Sequence, residues 1–204
     1  MNEQVWWYAS RSSGIIAWVL ITLSIVWGLS LSTRVTGNKP TPAWLLDLHR
    51  MLGGLSVIFT AIHLGGLMAD SYLDFGVVDF LVPFSFQEYK PGAVAVGVVA
   101  LYLMMAIQLS SMFMRKLPRK VWRYIHFSSW PLFVMATWHG LWAGSDVQNV
   151  YYRWTGIVSV QLVAFLTIVR ALAQKKARRR SARPTPTAQA VVSAESSGSY
   201  VQTS

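Results

Sequence analysis

The four histidines of this chain are the residues whose type and spacing could do chemistry. His49 and His63 lie in one apolar stretch, 14 residues apart, and His126 and His139 lie in another, 13 residues apart. An uncharged imidazole inside a membrane is costly, so an intramembrane histidine is a functional candidate by default. Two imidazoles at matched depth on facing helices can supply both axial positions of a haem iron. The pattern therefore predicts two b-type haems, one near each leaflet.

A second interpretation stays open at this point. A single membrane histidine is more often a hydrogen-bonded residue of a helix bundle than a ligand. The alternative is a haem-free scaffold or transporter component whose histidines line a proton path. All four histidines of the chain fall into two similarly spaced pairs, and this regularity favours the ligand interpretation.

The composition is that of a membrane protein. The chain has 204 residues, of which 53% are hydrophobic and 13% charged, whereas about a quarter of a soluble domain is charged. It has no cysteine, which excludes disulfides, iron–sulfur clusters and thiolate metal ligands. The formal net charge is +10. Because the basic residues cluster at the ends of apolar runs and in the tail, they indicate membrane topology rather than nucleic-acid binding.

Five apolar segments have the roughly 20 residues that cross a bilayer. They cover residues 14–33, 43–69, 92–114, 121–143 and 154–173. The sequence thus predicts an all-α bundle of about five transmembrane helices. We expect the first segment to be a retained helix and not a signal peptide, because no small-residue cleavage site follows it.

The charges around these segments predict the orientation. Most lysines and arginines fall on one side of the five crossings, including the loop RKLPRK at 115–120 and the run KKARRR at 175–180. The positive-inside rule places that side in the cytoplasm. The expected organisation is an outer segment 1–13, a haem-binding domain 14–173 and a cytoplasmic tail 174–204 that is basic and then disordered. The protein is expected in the plasma membrane with its N-terminus outside.

The same topology predicts how the histidines meet. The second and fourth segments run in one direction, so His49 and His126 should lie together near the cytoplasmic face and His63 and His139 near the outer face. Fourteen residues rise about 21 Å and complete almost four turns, which places His49 and His63 on one side of their helix. Thirteen residues leave His139 out of line with His126 unless Pro131 kinks or rewinds the helix.

Other residues near the histidines are weaker candidates. Arg11, Arg50 and Arg123 are predicted at helix ends, where a guanidinium could pair with a haem propionate or simply anchor the helix in the headgroups. Five glycines could serve close helix packing or let a flat macrocycle approach the backbone: Gly53, Gly54, Gly65, Gly66 and Gly140. The apolar piece VVDFLVPFSF at 77–86 is too short to span a bilayer, and we expect it to lie in the outer interface or to cover the bundle.

Three stretches carry a family resemblance: LHRMLGGLSVIFTAIH, VWRYIHFSSWPLFVMATWHG and ASRSSG. With them the chain resembles, over about residues 6–173, the ferric reductase-like transmembrane domain superfamily. That group includes ferric reductases, NADPH oxidases and the haem subunit of the bacterial methionine sulfoxide reductase system. The resemblance implies a bundle with two haems that passes electrons across the membrane. It implies His49 and His126 as ligands of the inner haem iron, His63 and His139 as those of the outer one, and Arg11 beside the outer haem.

The chain also departs from the oxidases of that superfamily. Those enzymes continue into a cytoplasmic flavin and nicotinamide domain, whereas here a short tail without a glycine-rich nucleotide fingerprint follows the last segment. They carry a further histidine where this chain has Leu67. The resemblance therefore implies an oxidoreductase subunit that receives electrons from a separate flavoprotein, carrying FMN or FAD, or from a quinol. The acceptor would be a partner protein, ferric iron or oxygen on the outer face.

Overall fold

The computed structural model describes residues 3–33, 41–70 and 75–181, and this part of the chain is helical with no strand. Seven α-helices follow one another: α1 Glu3–Thr33, α2 Pro42–Ala69, α3 Val77–Leu81, α4 Pro91–Met112, α5 Arg119–Phe127, α6 Ser129–Ala143 and α7 Val150–Ser181. A 3-10 turn, Asp146–Gln148, joins α6 to α7. The predicted all-α fold is confirmed.

Four helices in the described part are long and apolar enough to cross a membrane: α1, α2, α4 and α7. The fourth predicted segment, 121–143, consists of two helices, because Ser128 separates α5 from α6. The kink or rewinding expected at Pro131 therefore takes the form of a break. Pro131 explains the position of the break. It lies in the first turn of α6, where its missing N–H leaves no helical hydrogen bond unmade. The chain therefore starts a new helix just before the proline.

Helix α1 begins eleven residues earlier than the apolar segment predicted, so Arg11 lies inside the helix and not before it. The serines of this stretch do not interrupt the helix because their hydroxyls bond to its own carbonyls. Ser12 donates to Tyr8 O over 2.7 Å, and Ser13 donates to Ala9 O over 2.6 Å. Such back-bonding gives the hydroxyl of a serine inside a helix a hydrogen-bond partner.

The bundle is built from two antiparallel helix pairs. Helix α1 packs along α2, and α4 packs along α6, while α1 also touches α6. A buried apolar cluster lies where these pairs meet, made of Ile21, Ala100, Met104 and Leu132. These four residues come from α1, α4 and α6, and Val57 of α2 packs against them. The centre of the bundle is therefore apolar, and the histidine pairs lie on either side of it along the helices.

The described part of the long loop before α4 closes one end of the bundle. The rings of Phe75 and Phe86 are buried and stack at 3.9 Å, with Phe80 stacked on Phe75 at 5.5 Å. Trp7 and Tyr89 pack against this cluster. This loop was expected either to lie in the outer interface or to cover the bundle, and the buried phenylalanines fit the second role. Four of its apolar residues are nevertheless exposed: Val77, Val78, Leu81 and Val82.

The chain divides into two compact units, residues 1–166 and 167–204. The first contains all four histidines. The second is described only as far as Ser181, and Thr167–Ser181 is the last part of α7. The predicted disordered tail lies largely outside the described residues, since these end at Ser181.

Candidate functional site: two facing histidine pairs

The structure brings the four histidines together in the two predicted pairs. The ring centroids of His49 and His126 are 5.9 Å apart, and those of His63 and His139 are 6.4 Å apart. The planes of the two rings meet at 73° in the first pair and at 80° in the second. The break at Ser128 thus lets both histidines of the fourth segment face α2, although their spacing differs from that of His49 and His63.

The separations fit one metal ion between each pair of rings. With metal–nitrogen bonds of about 2 Å on opposite sides of the ion, two axial imidazoles have centroids about 6 Å apart. Among the described residues, no group of three or more His, Asp or Glu side chains could hold a metal ion. A metal between two histidines alone must bring its other ligands with it, which is the situation of a haem iron.

Backbone carbonyls orient the imidazoles of His49, His63 and His139. The Nδ1 of His63 donates to Ser10 O, that of His49 to Ser24 O, and that of His139 to the carbonyl of Ala93 in α4, each over 2.8 Å. A hydrogen bond from Nδ1–H leaves the lone pair on Nε2, the nitrogen available to a metal. The carbonyl also makes the imidazole a stronger ligand.

Hydroxyl groups add to this orientation on α1. The Oγ of Ser10 lies 3.1 Å from Nδ1 of His63, and the Oγ of Ser24 lies 3.1 Å from Nδ1 of His49. The imidazole of His126 has an aromatic neighbour. The ring of His126 stacks on the indole of Trp122, with the centroids 5.0 Å apart and the planes at 22°.

Glycines on the neighbouring helices make room for the same three rings. A Cβ at Gly97 would lie 2.7 Å from Nδ1 and Cε1 of His139, and one at Gly14 would lie 2.9 Å from Nδ1 of His63. A Cβ at Gly28 would lie 3.3 Å from Cε1 of His49. In each case the glycine follows the acceptor carbonyl by four residues, one helical turn. The imidazole therefore lies flat against a turn of backbone that offers both space and an acceptor.

The five glycines singled out from the sequence have other surroundings. A Cβ at Gly66 would lie 2.9 Å from backbone atoms of Ser10, and one at Gly140 would lie 3.0 Å from the hydroxyl of Tyr152. The other three have no such contact nearer than 3.5 Å: Gly53, Gly54 and Gly65. Gly66 thus serves the close packing of α1 on α2, the first of its two predicted roles.

A cavity surrounds the His63–His139 pair. It is mostly apolar, and its walls come from α1, α2, α4, α6 and the loop that precedes α4, residues 75–90. Trp18, Leu101 and Ala136 line it toward the middle of the bundle. Arg11 and Asp146 line it at the other end. An apolar cleft with a few polar groups at one end suits a flat macrocycle with a charged edge.

The three candidate arginines have different environments. Arg11 forms a two-fold hydrogen-bonded ion pair with Asp146, and both side chains are partly buried at the cavity. Arg50 is mostly exposed and lies 3.6 Å from Asp47 on the same helix. Arg123 is exposed on α5. Only Arg11 therefore lines the cavity around a histidine pair, and its Asp146 partner was not foreseen from the sequence.

The comparison with protein families agrees with this geometry. The family described as "Ferric reductase like transmembrane component" matches residues 13–137, well over half of the chain. The chain belongs to this family. Members of the family generally bind haem, and membership indicates a role in electron transfer within a membrane. No curated protein and no solved structure matches the chain significantly.

The family match begins just after the acceptor carbonyl of Ser10 and ends just before His139. Three of the four histidines lie inside it: His49, His63 and His126. The contacts of His139 with Ala93 and Gly97 reproduce those of His63 with Ser10 and Gly14. Because of this shared arrangement, His139 belongs with the other three histidines although it lies outside the matched residues.

Proposed function

We propose that this chain is the haem b subunit of a transmembrane electron-transfer system. Two haems would be held, one by His49 with His126 and one by His63 with His139. The observation that carries the proposal is the pair of facing imidazoles about 6 Å apart at each site, with three of the four Nδ1 atoms bonded to carbonyls. A haem held by each pair would supply reversible one-electron transfer.

The protein's own part in this function is to hold and insulate the two sites. The carbonyls fix which nitrogen of His49, His63 and His139 is free, and the glycines fix where these three rings lie. The sites are separated by fourteen residues of α2, about 21 Å of helix. The apolar cluster of Ile21, Ala100, Met104 and Leu132 lies between them and keeps water out of the path along which an electron would pass.

Spectroscopy of the purified protein tests this function against a haem-free bundle. Haem b with two axial imidazoles gives low-spin visible bands that sharpen on reduction. Because the ring planes meet at 73° and 80°, the ferric protein should show the paramagnetic resonance signals of nearly perpendicular axial imidazoles. Purified, folded protein without bands in the visible region would instead support a scaffold or transporter component with intramembrane histidines.

The donor is proposed to be a separate polypeptide or a quinol. A flavoprotein that carries FMN or FAD would meet the cytoplasmic face, and the acceptor would be a partner protein, ferric iron or oxygen on the outer face. An experiment on membrane vesicles whose haem is oxidised distinguishes the two possible electron donors. Haem that is reduced by NADPH with a cytosolic flavin reductase, but not by a quinol, supports the flavoprotein; the reverse result supports the quinol.

The proposed orientation places the N-terminus outside and the C-terminus in the cytoplasm of a plasma-membrane protein. The loop between α4 and α5 supports it, because Arg115, Lys116, Arg119 and Lys120 are all exposed at that end of the bundle. A tag fused after Ser204 should therefore be protected from protease in intact cells and cleaved in inverted vesicles. Cleavage in intact cells alone would reverse the assignment.

Arg11 is proposed to bind beside the haem at His63 and His139. Its guanidinium would favour the reduced, more negative state of that haem. We expect Arg11→Ala to keep both haems but to lower the reduction potential of one of them, and Arg11→Lys to recover part of the loss because the charge remains without the two-fold geometry. Redox titration of the two haems measures this. Potentials unchanged in Arg11→Ala would leave Arg11 as a residue that only ties α1 to Asp146.

A further inference from the structure

Two tryptophans at the His49–His126 pair have unusual surroundings. The indole nitrogens of Trp27 and Trp122 are buried, and neither has a hydrogen-bond partner among the residues that the structure describes. A buried N–H donor left unpaired costs free energy, and most such groups in proteins are paired. Two of them near one site indicate an acceptor that the described residues do not provide.

Trp122 lies beside His126, and Trp27 lies on the part of α1 that contacts His49. Trp122 precedes His126 by one turn of α5 and stacks on its ring. Trp27 follows Ser24 by three residues on α1, and the carbonyl of Ser24 holds His49. Residues three apart on a helix share a face, so Trp27 borders the strip of α1 against which His49 lies.

Another tryptophan of α1 shows what a satisfied indole does in this bundle. The Nε1 of Trp18 donates to the hydroxyl of Thr137 over 3.0 Å. Trp18 lies nine residues before Trp27 on the same helix and faces the other histidine pair. The bundle therefore supplies a side-chain acceptor where an indole needs one at the His63–His139 end. At the His49–His126 end, the described residues supply none for either tryptophan.

We propose that Trp27 and Trp122 donate their indole N–H groups to the propionate carboxylates of the haem held by His49 and His126. This inference rests on the proposed function and deepens it. The carboxylates are the anionic acceptors of a haem, and a hydrogen bond to a charged acceptor is stronger than one to a neutral group. The two indoles would then take the part for which Arg50 was one candidate; Arg50 is exposed and lies near Asp47.

The test compares haem b with its dimethyl ester, in which both carboxylates are blocked. Trp27→Phe and Trp122→Phe are made in the His63→Ala protein, so that the remaining haem is the one at His49 and His126. Phenylalanine keeps an aromatic ring and removes only the donor. With haem b, each variant should lose haem to excess apomyoglobin roughly tenfold faster, the factor that corresponds to one hydrogen bond to a charged group. With the dimethyl ester, whose ester carbonyls are uncharged and weaker acceptors, the difference between each variant and its parent should be much smaller.

Trp44→Phe is the matched control. Trp44 lies near the same end of the bundle on α2, its side chain is 53% exposed, and its replacement should leave both rates unchanged. Ultraviolet resonance Raman spectra of the wild-type protein give a second reading that needs no variant. Two tryptophans should change from weakly to strongly hydrogen-bonded when haem b is added to the haem-free protein, and not when the dimethyl ester is added.

The outcomes separate this inference from the function on which it rests. Wild-type protein that binds no haem would end the proposed function. Haem bound normally, with equal loss rates in the parent and both phenylalanine variants, would overturn the tryptophan proposal alone. So would variants that lose haem b and its dimethyl ester equally fast, because the indoles would then bond to water or support the ring, and not the carboxylates.

Discussion

Replacing His63 by alanine should leave the purified protein with about one haem per chain instead of two. The ring centroids of His63 and His139 are 6.4 Å apart, and a methyl group in place of the imidazole of His63 can bind no iron. A site designed for two axial imidazoles rarely retains its haem with one. His49→Ala should remove the other haem, and the double variant should bind none. Haem content and the visible spectrum, measured on protein of verified helicity, give the result.

The two single variants control for each other. Each should retain the spectrum of the remaining haem, and the two remaining spectra should add up to that of the wild-type protein. A His63→Ala protein that keeps both haems with low-spin bands would show that His63 is not a ligand. Loss of both haems from a folded single variant would mean that the two sites do not bind independently.

Gly97→Ala should have an effect almost as large, although it adds a single methyl group far from any iron ligand in the sequence. The new Cβ would lie 2.7 Å from the ring of His139, closer than atoms can approach. Alanine is the better helix former, so a loss of haem cannot be attributed to weakening of α4. The ring must move off the backbone and give up its bond to Ala93 O. We expect most of one haem to be lost or to become high-spin.

Gly65→Ala is the matched control, because no atom lies within 4 Å of a Cβ built at Gly65. This change should leave both haems unaltered. Gly14→Ala should resemble Gly97→Ala, since its Cβ would lie 2.9 Å from the ring of His63. If Gly97→Ala bound two low-spin haems as the wild-type protein does, the fit of His139 against α4 would not matter for ligation.

The histidine pairs could be predicted from the sequence because membrane topology restricts the choices so strongly. Fourteen residues on a helix place His49 and His63 on one face whatever their neighbours are. The match of His139 to His63 could not be derived in this way. It depends on the break at Ser128. Pro131 predicts a break, but it does not determine by what angle α6 is rotated relative to α5.

The glycines that hold the rings were missed because they lie on other helices than the histidines. Proximity in sequence drew attention to Gly65 and Gly66, but a Cβ at Gly65 would meet no atom within 4 Å and the atoms nearest a Cβ at Gly66 belong to Ser10. A signal was nevertheless present in α1. Its two serine–glycine steps, residues 10–14 and 24–28, are fourteen residues apart, the spacing of His49 and His63. A neighbouring antiparallel helix that repeats a serine and a glycine at the spacing of two histidines on one helix is therefore a signal for such a site.

The ion pair of Arg11 and Asp146 and the start of α1 at Glu3 were beyond the reach of the sequence. The first joins residues 135 positions apart, and nothing in either segment specifies the other. The second was obscured by three serines, which lower the hydropathy of a stretch that is helical because its hydroxyls bond to the helix itself.

The most direct test of this account is the ratio of haem b to polypeptide in the purified wild-type protein. Haem is measured as its pyridine complex and the polypeptide by amino-acid analysis, on a sample that the visible spectrum shows to be low-spin. Two facing pairs of imidazoles predict a ratio of about two. A saturated ratio of one would contradict the two-site arrangement, and a ratio of zero in folded protein would contradict haem binding altogether.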